Sequence, residues 1–292
     1  MKLFDGLEEI VEEDVPMAPR TSFQIGGPAT YFITPRNVEQ LQQVVTRCRE
    51  NDLAMYVLGK GSNLLVDDAG VKGAVIHLGQ GEFAEVALTE TGVRAGAGAD
   101  LSRLVLRCVR EGLAGMEGLT GIPGTVGGGV RMNAGGAFGD IGNIVENVVV
   151  MGLDAQPFTR FRTDLAFAYR TTNISSKFIL GAEFRLGHDD PHRILKQVKQ
   201  IWIYKKNTQP LNYRNAGCVF RNPRGLSAGA LIDRAGLKGK RVGGAHVSDK
   251  HANFILADSG TKASDVLKLI NVIREAVYKQ AEVYLELELE VW

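Results

Sequence analysis

The sequence predicts an α+β protein of more than one domain, and three observations carry that reading. Strand-like and helix-like segments are mixed along all 292 residues. Helical spacing places Leu41, Val44, Val45 and Cys48 on one face, and Leu104, Val105, Cys108 and Val109 on another. The 35 glycines are clustered, which marks places where the backbone itself is used.

The elements follow in chain order. Residues 20–80 read as an α/β unit. It has a strand at 30–33, a helix from the cap Asn37 to about residue 51, a strand at 54–58, and further strands at 64–66 and 73–78. Residues 84–98 read as a hairpin turning at 89–92, and Asp100 caps an amphipathic helix over 101–112. A glycine-rich run over 118–129 enters another helix, and strands follow at 148–151 and 178–186. Asp190-Pro191 starts a helix running to about Lys206, with a domain boundary beside it. Residues 217–223 form a loop, 227–235 a short helix and 265–280 a long one. From Leu285 the tail alternates as a half-buried strand with Glu286, Glu288 and Glu290 on one face.

Composition narrows the function. A net charge of +1 gives no global field for a nucleic acid backbone. The acidic start of the chain is the opposite of a secretory signal, and no run approaches the ~18 apolar residues of a membrane span. Cys48, Cys108 and Cys218 form no CxxC pair, so a reduced, cytoplasmic thiol state is expected. His77, His188, His192, His246 and His251 show no metal-ligand spacing, and no metal is expected.

Two glycine stretches carry the chemistry. Gly59-Lys60-Gly61-Ser62-Asn63 and Gly121-Ile122-Pro123-Gly124-Thr125-Val126-Gly127-Gly128-Gly129 can turn backbone N–H groups toward an anion. Ser62, Asn63 and Asn133 can add side-chain bonds. Neither stretch is GxGxxG or GxxxxGK[ST], so Rossmann and Walker sites are excluded on pattern; two tight packed turns are the plain alternative. Cys218 follows Gly217 in a polar loop, where a reactive role suits it better than the helix-face Cys48 and Cys108. His251 lies in a polar run, as a loop cap or a contact to a polar substrate.

These stretches, together with Thr21-Ser22-Phe23-Gln24-Ile25-Gly26-Gly27-Pro28, Met132-Asn133-Ala134-Gly135, Tyr169-Arg170, Gln209-Pro210, Ala216-Gly217-Cys218-Val219-Phe220-Arg221-Asn222-Pro223, Ser248-Asp249-Lys250-His251-Ala252-Asn253 and Leu287-Glu288-Leu289-Glu290-Val291, closely resemble the MurB family, the UDP-N-acetylenolpyruvoylglucosamine reductases. The resemblance spans nearly the whole chain. It implies a two-part FAD-binding domain of the PCMH/vanillyl-alcohol-oxidase type plus a C-terminal α/β substrate-binding domain, with FAD-binding parts at 1–80 and 81–190 and the substrate part at 191–292. It implies non-covalent FAD, with NADPH as reductant, and a UDP-sugar enolpyruvyl ether as substrate. No nucleic acid or membrane partner is expected, and the oligomeric state is open.

By the same resemblance, Gly59, Lys60, Gly61, Ser62, Asn63, Gly121, Pro123, Gly124, Thr125, Gly127, Gly128, Asn133, Ala134 and Gly135 hold the cofactor. Tyr169, Gln209, Asn222, His251 and Asn253 hold the substrate, and Arg170, Cys218 and Glu290 are catalytic. Arg170 would stabilise the enolate formed on hydride addition, Cys218 would protonate the neighbouring carbon, and Glu290 would assist. The family usually has Ser where Cys218 stands; a thiol is the stronger acid by several pK units. The short span from Arg170 to Leu186 resembles the shorter, type II members, and Ala257 stands where the family often has Asn. Two other readings stay open: an oxidase with covalent flavin, although no His or Cys lies in 60–65 or 118–139, and a non-catalytic nucleotide-sugar binding protein.

Overall fold

In the computed structural model, residues 3–292 are described, and the first two residues of the span 1–80 lie outside them. The chain divides into two compact units. One comprises the described residues up to Glu13, Thr30–Gly59 and Gly73–Lys205; the other comprises Asp14–Ala29, Lys60–Lys72 and Lys206–Trp292. The second unit is assembled from three stretches, with residues 14–29 and 60–72 packing with the C-terminal part. The division at Lys205 falls within the helix Pro191–Thr208.

Two sheets of four and five strands dominate the first unit, beside three two-stranded ones. The four-stranded sheet has the strand order Val11–Pro16, Pro28–Ile33, Val71–His77, Met55–Leu58, the last two strands running parallel. Helix α1, Val38–Glu50, joins Pro28–Ile33 to Met55–Leu58; its cap Asn37 accepts the Gln40 N–H at 2.8 Å, and it buries Leu41, Val44, Val45 and Cys48. The larger sheet has the order Pro157–Phe161, Val145–Met151, Phe178–Arg185, Gly92–Gly96, Val86–Thr89, every neighbour antiparallel. Helix α2, Leu101–Arg110, is capped by Asp100, and a single turn and a half, α3, Val126–Arg131, follows the second glycine stretch. Ile33, Leu41 and Ile76 share one apolar core with Phe178 and Phe184. Helix α4, Pro191–Thr208, buries Ile194, Val198, Ile201 and also Lys205.

The second unit is built on α5, Ala228–Arg234, and α6, Ala263–Ala281, around a three-stranded antiparallel sheet, Arg241–Val242, Ala245–Val247, Ile255–Ala257. Phe23, Leu65, Phe220, Val247, Leu269, Ile273 and Leu285 fill its core. Asp68 caps α6 from far away in sequence, accepting from the N–H groups of Ala263 at 2.7 Å and Ser264 at 3.2 Å.

The tail differs from the single strand that alternation predicts. Only Glu290–Val291 pairs as a strand, parallel to Leu64–Leu65. Before it, Arg221 N–H donates to Glu286 O and Glu288 N–H to Val219 O, both at 2.9 Å. The segment changes partner midway, so its alternation survives as burial of Leu285 and Leu289 without one continuous ladder. Among the described residues, no helix is long and apolar enough to cross a membrane.

Candidate active site

In the first unit, the second glycine stretch is anchored from one side. Val126 N–H donates to Ala99 O at 3.0 Å, Gly127 N–H to Ala97 O at 2.7 Å, and Leu101 N–H to Gly124 O at 3.2 Å. Thr125 caps α3 through Gly128 N–H, and a Cβ on Gly59 would stand 2.8 Å from Thr125 Oγ1, so the ends of the two stretches meet here. Gly121 and Gly124 have φ of +73° and +142°, the region that favours glycine. Among the described residues, nothing accepts from the N–H groups of Gly121 and Gly124. A backbone cradle with unused donors fits the phosphate and ring carbonyl oxygens of a flavin dinucleotide. Pro123 stiffens the turn between the two glycines.

Asn133, at φ +41° and buried, spends its amide on the protein. Its Nδ2 donates to Ala168 O at 2.9 Å, and its Oδ1 accepts from Gly142 N–H at 3.0 Å. Ala134 N–H donates to Gly129 O, and Gly135 pairs with Asp140, so residues 133–135 fold back on α3. The Ala168 carbonyl held by Asn133 begins the hairpin Phe167–Ala168/Thr171–Thr172, at whose tip Tyr169 and Arg170 stand. Arg170 has φ +55°, and its guanidinium lies 5.1 Å over the exposed Tyr169 ring. Arg170 is marked by its motif in the sequence, whereas Lys205, whose charge acts on it, is not. Lys205 continues the buried row Ile194, Val198, Ile201, and a lysine at an apolar periodic position is the signal that exposes it.

In the second unit, Gly61 has φ +59°, and a Cβ there would stand 2.4 Å from Arg20 O. Asn63 Nδ2 donates to Glu288 O at 2.9 Å, and Glu290 N–H donates to Asn63 O at 3.1 Å. The tail glutamates are therefore laced to the first glycine stretch. The Cys218 loop meets the same segment through the Glu288–Val219 bond and the Phe220–Leu287 bridge. Asn253, 3% exposed, holds this loop: Oδ1 accepts Phe220 N–H at 3.0 Å, Nδ2 donates to Phe220 O at 2.8 Å, and its carbonyl accepts Val219 N–H at 2.9 Å.

His251 Nδ1 accepts the Asn253 N–H at 3.3 Å, and the ring meets Phe254 edge-on at 4.8 Å. Burial holds its pKa below the usual histidine value. Asn222 Oδ1 accepts Ala228 N–H at the start of α5. Gln209 lines a cavity of about 400 Å³ with Lys206, Tyr213, His246, Ser248 and Lys250. Ala257 is buried, and its N–H donates to Arg214 O. Among the cysteines, burial pushes the Cys48 and Cys108 thiols up to about 12, whereas Cys218 is half-buried in its loop.

The structure thus gathers Cys218, Asn253, His251, Asn63 and Glu290 in the second unit and Thr125, Asn133, Tyr169 and Arg170 in the first. Among the described residues, no three His, Cys, Asp or Glu side chains gather as a metal site.

Residues 209–292 match the family described as UDP-N-acetylenolpyruvoylglucosamine reductase, C-terminal domain, and residues 29–153 match the FAD binding domain. The chain is 41% identical over 279 residues to UDP-N-acetylenolpyruvoylglucosamine reductase 2 of Symbiobacterium thermophilum, covering 95% of this chain and 90% of that protein. It is 40% identical to the reductase of the same name from Carboxydothermus hydrogenoformans, covering 96% and 93%. The crystal structure of UDP-N-acetylenolpyruvylglucosamine reductase (MurB) from Thermus caldophilus superposes with a TM-score of 0.84 at 38% identity, over 97% of this chain and 98% of that one. A variant of Phl p 4 described as a glucose dehydrogenase superposes over 65% of this chain and 45% of its own at 16% identity and a TM-score of 0.50, a likeness of fold alone. The expected α+β fold, with its two-part FAD-binding domain, agrees with these matches.

Iodoacetamide on the native protein should alkylate Cys218 and leave Cys48 and Cys108 unmodified until the chain unfolds, read by peptide mass spectrometry. Asn253→Ala should cost about 1–3 kcal/mol in denaturant unfolding, because both backbone groups of Phe220 lose their buried partner.

Proposed function

The chain belongs to the UDP-N-acetylenolpyruvoylglucosamine reductase (MurB) family, and on that premise we propose that it uses NADPH and non-covalent FAD to reduce UDP-N-acetylglucosamine enolpyruvate to UDP-N-acetylmuramate, a cytoplasmic step of peptidoglycan precursor synthesis. The chain is an oxidoreductase. The observation that carries the finer reading is the lacing of Glu290 and the Cys218 loop to the first glycine stretch through residues 286–290. A cofactor-holding turn and two proton-handling groups then share one backbone scaffold.

When bound, the flavin supplies the hydride to the methylene carbon of the enolpyruvyl group. The protein's part is to bind, orient and move a proton. The Gly59–Asn63 and Gly121–Gly128 backbones, with Asn133, Ala134 and Gly135 behind them, hold the cofactor. Tyr169, Gln209, Asn222, His251 and Asn253 hold the UDP-sugar. In the neutral form favoured by its burial, His251 offers Nε2–H as a donor, since Nδ1 accepts from Asn253.

Arg170, carried at a hairpin tip, offers a planar fork to the substrate carboxylate as negative charge develops there. The Cys218 Sγ–H donates its proton to the carbon next to that carboxylate, and Glu290 assists by holding the donor or the enolate. Asn253 acts on this step only through the loop it fixes. A thiol in the donor position needs a half-buried setting, which Cys218 has and the two helix-face cysteines lack.

The test is spectroscopic. Purified protein should be yellow, lose its colour on acid precipitation, bleach with NADPH and regain its flavin absorbance on addition of the enolpyruvyl sugar. Persistent bleaching with that substrate present would sink the proposal. Cys218→Ala should leave bleaching by NADPH nearly intact and slow reoxidation by orders of magnitude, while Cys218→Ser keeps substantial activity; stopped-flow separates the two half-reactions.

A further inference from the structure

Arg274 carries a charge that no acid answers. It stands in the C-terminal half of α6, and its Nε–H donates to Leu285 O at 3.0 Å. Among the described residues no carboxylate pairs with it. The residues one turn away on α6 are Ile270, Asn271, Val277 and Tyr278, none of them acidic. A solvated surface arginine turns its fork to water. This one lies over two aromatic rings, 5.0 Å from the centre of the exposed Tyr284 ring and 6.0 Å from that of the buried Phe220 ring.

The bond to Leu285 falls where the chain is otherwise loosely held. Helix α6 ends at Ala281, and Glu282, at φ +55°, closes it by donating to Tyr278 O. The tail is next fixed at Glu286 O, which accepts the Arg221 N–H. Between these two points, among the described residues, the main chain of 283–285 has one hydrogen bond, the one from Arg274. A slip of one residue in an extended segment turns its side chains to the opposite face. Arg274 therefore sets the phase in which the tail enters its lace.

The same guanidinium bears on the other half of the site. Phe220 stands two residues after Cys218. Its N–H and C=O are both held by Asn253, and its ring is held under Arg274. Arg274 thus touches the tail at Leu285 and the Cys218 loop at Phe220, from a helix to which neither belongs.

We propose that Arg274 is a positioning residue for the proton transfer, holding the Cys218 loop and the tail glutamates in one phase by gripping Phe220 and Leu285 together. This rests on the reading that Cys218 is the proton donor. The cofactor-holding turn has its own grip on the tail, through the Asn63–Glu290 bond and the pairing with Leu64–Leu65. Loss of Arg274 therefore misplaces the thiol without loosening the Gly59–Asn63 turn.

Stopped-flow on the FAD-loaded protein compares wild type, Arg274→Lys and Arg274→Met, each also combined with Cys218→Ala. Arg274→Met should leave bleaching by NADPH within about twofold and slow reoxidation by saturating enolpyruvyl sugar about 10- to 100-fold, the cost of a misplaced reacting group. Arg274→Lys keeps a donor for Leu285 O and loses the planar face, so it should fall between. In the Cys218→Ala background Arg274→Met should slow reoxidation no further, because the group it positions is gone. Equal slowing of both half-reactions, or the same slowing with and without Cys218, marks a merely structural residue and overturns the proposal.

A second readout needs no turnover. Iodoacetamide should alkylate Cys218 in native Arg274→Met roughly three- to tenfold faster than in wild type, the population change that losing one hydrogen bond brings. Arg274→Lys should show a smaller rise; if Arg274→Met does not fold, the lysine variant carries both readouts in the same directions. An alkylation rate equal to that of wild type overturns the clamp. Wild type that the sugar does not reoxidise defeats the proposed function; alkylation then decides the clamp alone, a faster rate keeping it and an equal rate ending it.

Discussion

The tail segment 286–292 is the constraint on which the second unit's site depends. It lends its backbone first to residues 219–221 and then to 63–65. An extended chain that changes partner midway must satisfy two sets of donors at once, so its register is fixed from both ends. That is why a loop with a half-buried thiol and a glycine turn, separated by some 150 residues of chain, hold fixed places on one scaffold. Buried Leu285 and Leu289 supply the apolar anchor, and the exposed Glu290 is carried at the end of the lace.

The first unit solves a different problem. Its second glycine stretch must present N–H groups outward, so those groups cannot be spent on the protein. The neighbouring ones are spent: Val126 and Gly127 bond back to Ala99 and Ala97, and Thr125 closes α3. Anchoring the far side of the turn lets Gly121 and Gly124 remain open without the loop collapsing on itself. Asn133 continues the same economy, tying the turn after α3 to the hairpin that carries Arg170.

Much of this is legible in the sequence. Asn37 and Asp100 cap the helices that spacing assigns to them, because a cap is a local bond within four residues. The hairpin at 84–98 and helix α4 are likewise local patterns. Pairing is not legible: the capping of α6 by Asp68 and the capture of residues 14–29 and 60–72 by the C-terminal unit join segments far apart in the chain, and no periodicity records them. Asn253 is expected at the substrate, while its Oδ1 and Nδ2 each already bond Phe220, which leaves one lone pair and one N–H for any contact there.

The sequence by itself determined which residue types are available and where backbone freedom lies: the glycine turns, the Tyr169-Arg170 pair, a cysteine in a polar loop, and a tail of alternating glutamates. These are properties of spacing and chemistry, which survive without coordinates. Only the tertiary structure decided which donors are spent and which are left over. Whether Gly121 has an acceptor, whether Lys205 is buried beside Arg170, and whether the tail forms one strand or laces two segments all depend on what lies opposite in space. Hydrogen-bond satisfaction and desolvation are set by neighbours that the linear chain does not name.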